Sequence, residues 1–152
     1  MLLITKIDNK QYPVKEDIDI GTIIRKQLQH FEELIAEKNI KTEINLQSSP
    51  RISINPLLAD MLVSNLISNA IKHNIKNGKL IISLADHSLK FENTGKPLSF
   101  DPDSLFDRFR KGTQNANSLG LGLSIVKKIT DSSNMQIEYR RENEMHIFQL
   151  IY

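Results

Sequence analysis

Apolar residues recur every three or four positions in three stretches of the chain, which is the spacing of an amphipathic helix. These stretches are residues 22–39, 56–74 and 124–133. Asp19 or Thr22 is placed to cap the first helix, and Asn55 followed by Pro56 is a common way to start the second. The pattern therefore predicts three helices, two of them with clear start signals.

Six shorter stretches alternate apolar and polar residues, as half-buried strands do. They are residues 40–46, 51–54, 79–85, 89–93, 135–140 and 145–152. Short polar segments join them in three successive pairs, so the sequence predicts three hairpins. Hairpins interleaved with helices favour an α+β fold, because parallel strands would need a crossover between each pair. We expect a two-layer sandwich with a mixed, mostly antiparallel sheet and helices packed on one face.

Residues 95–120 fit neither pattern. This stretch holds three of the six glycines and two of the five prolines and shows little periodicity. A loop of that length inside a compact domain is usually functional or disordered. We therefore expect it to border a site.

Composition narrows the classes of protein. A length of 152 residues, 39% hydrophobic and 25% charged, is typical of one globular domain. Twenty basic against eighteen acidic residues give a net charge of +2, which argues against a nucleic-acid partner. The absence of cysteine excludes disulfides and thiolate metal sites. The opening MLLITKIDNK has too short an apolar run for a signal peptide, and no window has the eighteen or so apolar residues of a membrane span.

The common phosphate-binding loops are missing. Gly78-Lys79 is followed by Leu80 and Gly95-Lys96 by Pro97, so no Walker-type loop occurs. The segment GLGLSI lacks the third glycine of a dinucleotide-binding fingerprint. A nucleotide would therefore have to be bound by residues outside these loop motifs.

A line of polar residues runs along the second helix within NLISNAIKHN. Asn65, Asn69 and either Lys72 or His73 fall at positions i, i+4 and i+7 or i+8, beside the apolar stripe. An asparagine carbonyl is a hard oxygen ligand suited to Mg²⁺, and a lysine one turn further on can meet a phosphate. The alternative is that both amides bond to nearby backbone and the lysine is solvated.

The stretch FENTGKPL places Asn93 at the end of a strand, just before a glycine-containing turn. Its amide is free to read the edge of a planar base, although most such triplets are ordinary turns. Because an amide carries both a donor and an acceptor, it can pair with either adenine or guanine. Which purine it prefers depends on what holds its orientation.

Two further stretches carry features that suit phosphates. LFDRFRKGT brings Arg108, Arg110 and Lys111 together beside the long loop, and cations on a mobile loop can close over phosphates. SLGLGLSIV places Gly120 and Gly122 at the start of a helix, where the backbone attracts anions. Taken singly, these stretches also fit a solvated basic turn and an ordinary glycine-rich helix entry.

Taken together and in this order, the four stretches resemble the N, G1, F and G2 boxes of the ATP-binding catalytic domain of bacterial sensor histidine kinases. That domain shares its fold with gyrase, heat-shock chaperone and mismatch-repair ATPases. The resemblance covers nearly the whole chain. Residues 1–12, with LLITKIDN, look like the tail of the preceding dimerisation and phosphotransfer helix, and residues 13–152 like the catalytic domain.

The resemblance implies a role for each residue on the second helix. Asn69 would bind Mg²⁺ with Asn65 close by, and Lys72 would contact phosphate, which makes these three the implied catalytic residues. His73 would take the place of the usual aromatic residue near the ribose and base.

The same resemblance implies how the base and the phosphates are enclosed. Asn93 would read the adenine amino group where the family usually has aspartate, Gly95 would give the turn, and Leu98 would line the base pocket. A long ATP lid, from about Phe106 to Leu119, would bring cations to the phosphates. The lid cations are Arg108, Arg110 and Lys111, and the floor of the site would be Gly120, Leu121, Gly122 and Leu123.

The implied function is transfer of the γ-phosphoryl group of Mg-ATP to a histidine on a separate upstream domain of the same kinase, for relay to a response regulator. None of the four histidines stands in the His-Glu-x-x-x-x-Pro pattern of the phosphoacceptor. We therefore expect a cytoplasmic, monomeric fragment of a homodimeric kinase that is anchored in the inner membrane.

Three departures from the family pattern keep other functions open. Met61 stands where relatives often carry Glu or Gln proposed to assist proton transfer, Pro97 replaces a G1-box glycine, and Ser118 replaces a G2-box glycine. Met61 and Asn93 favour a nucleotide-binding or scaffold module that has lost activity. A protein-serine kinase of the anti-sigma-factor type uses the same boxes and is the other alternative.

Overall fold

The computed structural model of the chain describes residues 7, 12, 14–47, 50–107 and 121–152, and for Leu121 the backbone alone. Within these ranges, strands and helices follow one another in the order expected of an α+β domain. The predictions that fall on Arg108, Arg110, Lys111 and Gly120 lie outside the described residues.

Seven strands form two sheets. The strands are β1 (Glu16–Asp19), β2 (Lys41–Leu46), β3 (Arg51–Ile54), β4 (Lys79–Ala85), β5 (Ser88–Thr94), β6 (Gln136–Glu142) and β7 (Met145–Ile151). The main sheet has the order β2-β4-β5-β7-β6, and β1 pairs with β3 in a separate two-stranded sheet. All pairs are antiparallel except β2 with β4. The predicted mixed, mostly antiparallel sheet is confirmed.

Within the described ranges, four helices accompany the sheets. They are α1 (Ile20–His30), α2 (Glu32–Glu37), α3 (Pro56–Lys72) and α4 (Leu121–Ser132), and a short 3₁₀ turn spans Pro102–Ser104. The helix α3 lies between α1 and α4, and both α3 and α4 contact the main sheet. One helical layer therefore covers one face of the sheet, as the α+β prediction required.

Two predicted caps are present. The Asp19 side chain accepts hydrogen bonds from the amides of Gly21 and Thr22, so Asp19 rather than Thr22 starts α1. The Asn55 side chain accepts from the amides of Leu57 and Leu58, with Pro56 in the first turn of α3. These caps fix where the two helices enter the layer.

The hydrophobic core lies between α3 and the inward face of the main sheet. Side chains from both layers are almost fully excluded from solvent. They include Leu62, Leu66 and Ala70 from α3 and Leu80, Ile82, Leu89, Phe91 and Leu150 from the sheet. Ile7, in the N-terminal segment, is buried in the same core. Alternation in the strands and the helical stripe therefore predicted the core correctly.

One predicted hairpin is wrong. The segments 40–46 and 51–54 do not pair with each other: β2 lies parallel to β4, with Ile44 opposite Ile82, and β3 pairs with β1. The strand β1 was not predicted, because its sequence EDID is acidic and short. Once β1 occupies β3, the helix α3 serves as the crossover that a parallel β2–β4 pair needs.

The first predicted helix is interrupted. The periodic stretch 22–39 forms α1 and α2, which are separated at Phe31, and α1 begins two residues earlier than predicted, at Ile20. None of the α2 residues is buried. The break therefore costs little core packing.

Candidate functional site

The end of β5 holds a buried polar side chain with an unused acceptor. Asn93 is only 1% exposed. Its Nδ2 donates a hydrogen bond of 2.9 Å to the backbone carbonyl of Thr94. Its Oδ1 has no partner in the part of the chain that the structure describes. A buried acceptor left without a donor costs free energy, and such a group in a folded protein calls for a specific explanation.

The bond to Thr94 fixes which way the amide faces. Because a carbonyl only accepts, the NH₂ group of Asn93 must point towards it, and Oδ1 points away. The side chain therefore turns Oδ1 away from Thr94 as an available acceptor, and one of its two N–H donors is already used. An acceptor suits the amino group of adenine and opposes the O6 acceptor of guanine. Of the two purines that the sequence left open, this orientation of Asn93 Oδ1 suits adenine better.

The turn after Asn93 has room for glycine alone. A Cβ atom at Gly95 would lie 2.6 Å from Cδ2 of His146 and 2.7 Å from the backbone carbonyl of His73. Both distances are far below ordinary contact, and one of the two partners is backbone. The end of β5, the end of α3 and the strand β7 therefore meet at this residue.

The buried imidazole of His146 is hydrogen-bonded to this turn. The ring of His146 lies within hydrogen-bond distance of two groups: its Nε2 is 2.7 Å from the carbonyl of Lys96, and its Nδ1 is 2.7 Å from the hydroxyl of Tyr139. Arg141 Nη2 donates a longer bond of 3.4 Å to the carbonyl of Gly95. Burial lowers the pKa of His146, and the nearby Arg141 charge acts in the same direction.

Sequence reasoning missed His146, Tyr139 and Arg141 as part of the site. One signal was available: in MHIFQLIY, His146 shares its strand face with Phe148 and Leu150, which are core residues. A histidine on an apolar strand face must find hydrogen-bond partners. The sequence did not show that those partners lie on the turn that follows β5.

A second network ties the end of α3 to the sheet. The Oδ1 of Asn74 accepts from the Thr94 hydroxyl at 2.5 Å and from the Ile75 amide at 2.9 Å, and its Nδ2 donates to the Lys79 carbonyl at 2.9 Å. The Thr94 hydroxyl also accepts from the Lys79 amide at 2.8 Å. These bonds hold the last turn of α3 beside Asn93. Neither Asn74 nor Thr94 was predicted to have this role.

The predicted line of amides is present on α3. The Nδ2 of Asn65 donates to the Met61 carbonyl at 2.7 Å, which is the backbone bond that the alternative interpretation expected. Its Oδ1 faces the start of α4, since a Cβ at Gly122 would lie 3.2 Å from it. Asn69 is half-buried, and its side chain makes no hydrogen bond to another described residue. Two amide oxygens are therefore left to accept a ligand.

A cleft of about 560 Å³ opens between α1 and α3. Its lining residues are Lys26, Gln27, Gln29, His30, Asp60, Met61, Ser64 and Asn65. Asp60 is held in place there by Lys26, whose Nζ lies 3.2 Å from its carboxylate. Asn65 thus borders this cleft on one side and the start of α4 on the other.

The C-terminal end of α3 carries the other predicted helix residues. Lys72 and His73 are both exposed, and the amide of His73 closes the helix on the carbonyl of Asn69 at 3.1 Å. Lys38 Nζ donates to the carbonyls of Ile71 and Lys72 at 2.8 and 3.0 Å, a favourable position for a cation at a helix C-terminus.

Three of the apolar residues predicted to border the site pack in or against the hydrophobic core. Leu98 is half-buried against the core. Phe106 packs edge to face on Phe148, with ring centroids 6.2 Å apart, so it anchors the start of the long loop. Leu123 is buried in the core one residue after Gly122. The N box, the G1 turn and the described part of the G2 segment therefore converge on one region.

The residues present fit an adenine nucleotide with a divalent cation. The unpaired Asn93 Oδ1 matches the donor that the adenine amino group provides, and Gly95 allows a ligand to approach the backbone closely. The amide oxygens of Asn65 and Asn69 are hard, neutral ligands of the type Mg²⁺ accepts. The fold and this set of groups define a nucleotide-binding domain.

Comparison with known proteins agrees with that class. The family model described as "Histidine kinase-, DNA gyrase B-, and HSP90-like ATPase" matches residues 54–150. The chain is 34% identical over 129 residues to sensor histidine protein kinase HK06 of Streptococcus pneumoniae, covering 82% of this chain and 29% of that protein. It is 32% identical over 151 residues to heme sensor protein HssS of Staphylococcus aureus, covering 95% of this chain and 33% of that protein.

The fold of solved histidine kinase domains is also similar. The catalytic domain of histidine kinase ThkA superposes with a TM-score of 0.76 at 24% identity, covering 90% of this chain and 93% of that one. ThkA has also been solved in complex with the response regulator protein TrrA, where the TM-score is 0.69 at 22% identity, covering 90% of this chain and 41% of that one. At these identities the likeness establishes the fold.

The chain belongs to the histidine kinase-, DNA gyrase B- and HSP90-like ATPase family. Within it, the chain is an ATP-binding domain of the sensor histidine kinase type. It spans about a third of the length of the two curated relatives, at 29% and 33%. In the described part of the chain, no helix is long and apolar enough to cross a bilayer.

Proposed function

We propose that this domain binds Mg-ATP and supplies its γ-phosphoryl group to a histidine on a separate domain of the same kinase. The observation that carries the proposal is the buried Oδ1 of Asn93, which has no partner among the described residues and is turned away from the Thr94 carbonyl beside the Gly95 turn. Relatives that are sensor histidine kinases support the reaction class.

On the base side, Asn93 accepts a hydrogen bond from the adenine amino group and Gly95 lets the ring approach the turn. Leu98 provides an apolar wall next to the base. His73, at the exposed end of α3, lies near the ribose and base. Because Asn93 is already oriented and buried in the free protein, little ordering free energy is spent when the base binds.

On the phosphate side, Asn69 is the metal ligand and Asn65 lies one helical turn before it. These two residues would hold Mg²⁺, which would supply charge neutralisation at the phosphate oxygens. Lys72, exposed one turn after Asn69, adds a cation at the phosphates. The lid cations Arg108, Arg110 and Lys111, with Gly120 and Leu121 at the floor, complete this side of the proposed site.

The chemical step needs no covalent intermediate on this domain. An imidazole nitrogen of the acceptor histidine bonds to the γ-phosphorus while the bond from that phosphorus to the β,γ-bridging oxygen breaks, and ADP leaves. The proton displaced from the imidazole passes to solvent or to a base on the acceptor domain. Catalysis then rests on positioning and on charge neutralisation, as in other phosphoryl transfers.

The rest of the kinase follows from the same proposal. In this proposal residues 1–12 belong to the preceding dimerisation and phosphotransfer domain. The acceptor histidine lies in that domain, and a response regulator receiver domain takes the phosphoryl group from it, as the complex of ThkA with TrrA illustrates for that kinase. The intact kinase is a homodimer whose catalytic domain is cytoplasmic and which is anchored in the inner membrane, whereas the fragment itself is monomeric.

Phosphate transfer from γ-labelled ATP tests the proposal. The domain should label a supplied phosphotransfer domain at histidine, giving an acid-labile product, and should not label itself when incubated alone. Transfer to serine, which gives an acid-stable product, would favour the anti-sigma-factor type of kinase. Tight ATP binding without any transfer would favour a nucleotide-binding scaffold, and stoichiometric labelling of the domain's own histidines would contradict the proposal.

A further inference from the structure

His146 lies directly behind the residue that reads the base. In the antiparallel pair of β5 and β7, Asn93 and His146 are opposite each other. His146 is 5% exposed, and its ring stacks on Tyr139 of β6 with centroids 5.9 Å apart. Nothing in the reaction proposed above uses this imidazole. Its burial and two close partners therefore need a separate explanation.

The hydrogen bonds identify the tautomer of the neutral ring. The carbonyl of Lys96 can only accept, so the Nε2 of His146 carries the proton that it donates over 2.7 Å. In the neutral ring, Nδ1 is then the acceptor, and the hydroxyl of Tyr139 donates to it over 2.7 Å. In the protonated ring Nε2 would still donate to Lys96, whereas the hydroxyl of Tyr139 would have to turn and accept from Nδ1.

The ring also fills the space under the turn. Gly95 lies so close to it that a Cβ would be 2.6 Å from Cδ2 and 2.8 Å from Nε2 of His146. The His73 carbonyl at the end of α3 closes in on the same glycine from another direction. The position of Gly95 and Lys96 thus depends on where the imidazole sits.

We propose that His146 is a positioning residue of the nucleotide site: its neutral ring ties the Lys96 carbonyl to β7, holds the Gly95 turn in place, and thereby keeps Asn93 at the adenine edge. This role rests on the proposed ATP-binding function. Protonation places a buried charge near Arg141 and reverses the bond to Tyr139, so the ring shifts and nucleotide binding weakens. The site is therefore built to bind less tightly in acid.

The charged surroundings of His146 support this behaviour. The titratable or charged residues recorded around the ring are Tyr139 and Arg141 on β6 and Lys96 on the turn, and none of them carries a negative charge at neutral pH. A protonated ring would present a second N–H to the Tyr139 hydroxyl and place a charge near Arg141. Burial lowers the pKa of His146 from its usual 6.5, the hydrogen bond to the Lys96 carbonyl opposes this shift, and the charge of Arg141 adds to it.

The direction of the pH effect follows from that shift. In the unfolded chain the imidazole takes up its proton near pH 6.5, whereas in the folded domain it does so at lower pH. The stability contributed by the neutral ring is therefore complete above about pH 6.5 and is lost as the pH falls through the folded-state pKa. Nucleotide affinity should fall over the lower part of the same range.

The test is the dissociation constant of ATP from pH 8 to pH 5 for the wild-type domain and for His146→Gln. Glutamine keeps an N–H donor for the Lys96 carbonyl but does not titrate. Both proteins meet the same ionisation of the nucleotide, so the ratio of their dissociation constants isolates the ring. At pH 8 the dissociation constants of wild type and His146→Gln should agree within about threefold. Relative to that value, the ratio of wild type to His146→Gln should rise about twofold at the pH where half of the His146 rings are protonated, and about tenfold one pH unit lower.

Three further variants separate positioning from simple packing. His146→Leu removes the donor to Lys96 and should weaken ATP binding at every pH, with circular dichroism confirming the fold. Tyr139→Phe removes the partner of Nδ1 in both protonation states, so it should loosen the ring and weaken ATP binding at every pH. His87→Gln, at the exposed turn between β4 and β5, is the matched control and should leave the profile unchanged.

A constant ratio over the whole pH range in which the domain stays folded would overturn the proposal for His146. So would equal ATP affinity of wild type and His146→Leu at pH 8. Failure of the wild-type domain to bind ATP at any pH would instead contradict the proposed function itself. The two failures are therefore distinguishable in one set of titrations.

Discussion

The base side and the phosphate side of the site are built differently. On the base side, Asn93 and His146 are almost fully buried, and Gly95 is wedged between them and the end of α3. On the phosphate side, Asn65 and Asn69 are half-buried and Lys72 is exposed. One side is fixed by the sheet, whereas the other is a helix surface with unused acceptor oxygens.

This difference assigns separate tasks to the two sides. A rigid base pocket selects the nucleotide with little loss of conformational entropy on binding. Unpaired amide oxygens on a helix surface are completed by a cation, which usually keeps several waters and phosphate oxygens among its ligands. Changes on the base side should therefore alter the free protein as well as binding, and changes on the phosphate side should alter binding alone.

The largest expected effect is on the phosphate side, at Asn69. Asn69→Ala should abolish the stabilisation by Mg-ATP, which for the wild-type domain at 100 times the dissociation constant is about 2.7 kcal/mol. The melting temperature of the free protein should hardly change, because no described residue bonds to the Asn69 side chain and alanine favours helix. Thermal melting with and without Mg-ATP measures both quantities.

Ser68→Ala, at the position directly before Asn69 on α3, is the matched control. Its melting temperature and its stabilisation by Mg-ATP should equal those of wild type. If Asn69→Ala destabilises the free protein strongly and still binds Mg-ATP, then Asn69 is a structural residue. The contrast between the two sides would then disappear.

Gly95→Ala tests the rigidity of the base side. The new methyl group would meet the His73 carbonyl and the His146 ring at distances that neither backbone nor a bonded ring can easily relieve. Overpacking of this kind should lower the free energy of unfolding by about 2 kcal/mol and weaken ATP binding as well. Urea denaturation gives the first value and calorimetric titration the second. A variant as stable as wild type would show that the turn is not tightly held.

Asn93→Leu separates the effect of the buried amide on protein stability from its effect on ATP affinity. Leucine has a similar size and removes the unpaired Oδ1, so the free protein should be at least as stable as wild type in urea denaturation. Loss of the hydrogen bond to the base should cost about 1 kcal/mol, or roughly fivefold in ATP affinity. The preference for ATP over GTP should fall towards one, and a retained preference would remove Asn93 from the base edge.

Local sequence patterns predicted much of the fold correctly. The errors of that prediction share one cause. Helix caps at Asp19 and Asn55 and the core faces of α3 and β4 depend on nearby residues, so the sequence predicted them. The partner of β2 depends on β1, which is acidic and lacks a strand-like pattern. Strand pairing over a long separation is a tertiary choice that local periodicity does not encode.

The site shows the same division. The residues on α3 and at the β5 turn were found from their spacing and from a family resemblance. The orientation of the Asn93 amide and the support from His146 and Tyr139 were not, because both depend on atoms from β5, β6 and β7 that meet only after folding. The sequence motif identifies which side chains are candidates to contact the nucleotide. The contacts between strands determine the orientation of those side chains.

The smallest effect is expected at Gly122, which makes the sharpest contrast with Gly95. A Cβ at Gly122 would lie 3.2 Å from Oδ1 of Asn65, a side-chain atom that can move by a few tenths of an ångström. Gly122→Ala should therefore lower the free energy of unfolding only slightly through packing. Gly122 lies near the start of α4, where the gain in helix propensity, at most about 1 kcal/mol, should offset that loss. The free energy of unfolding from urea denaturation should stay within about 0.5 kcal/mol of wild type, while Mg-ATP affinity falls about two- to threefold because Asn65 shifts. If Gly122→Ala destabilises the domain as much as Gly95→Ala, the phosphate side is as rigid as the base side.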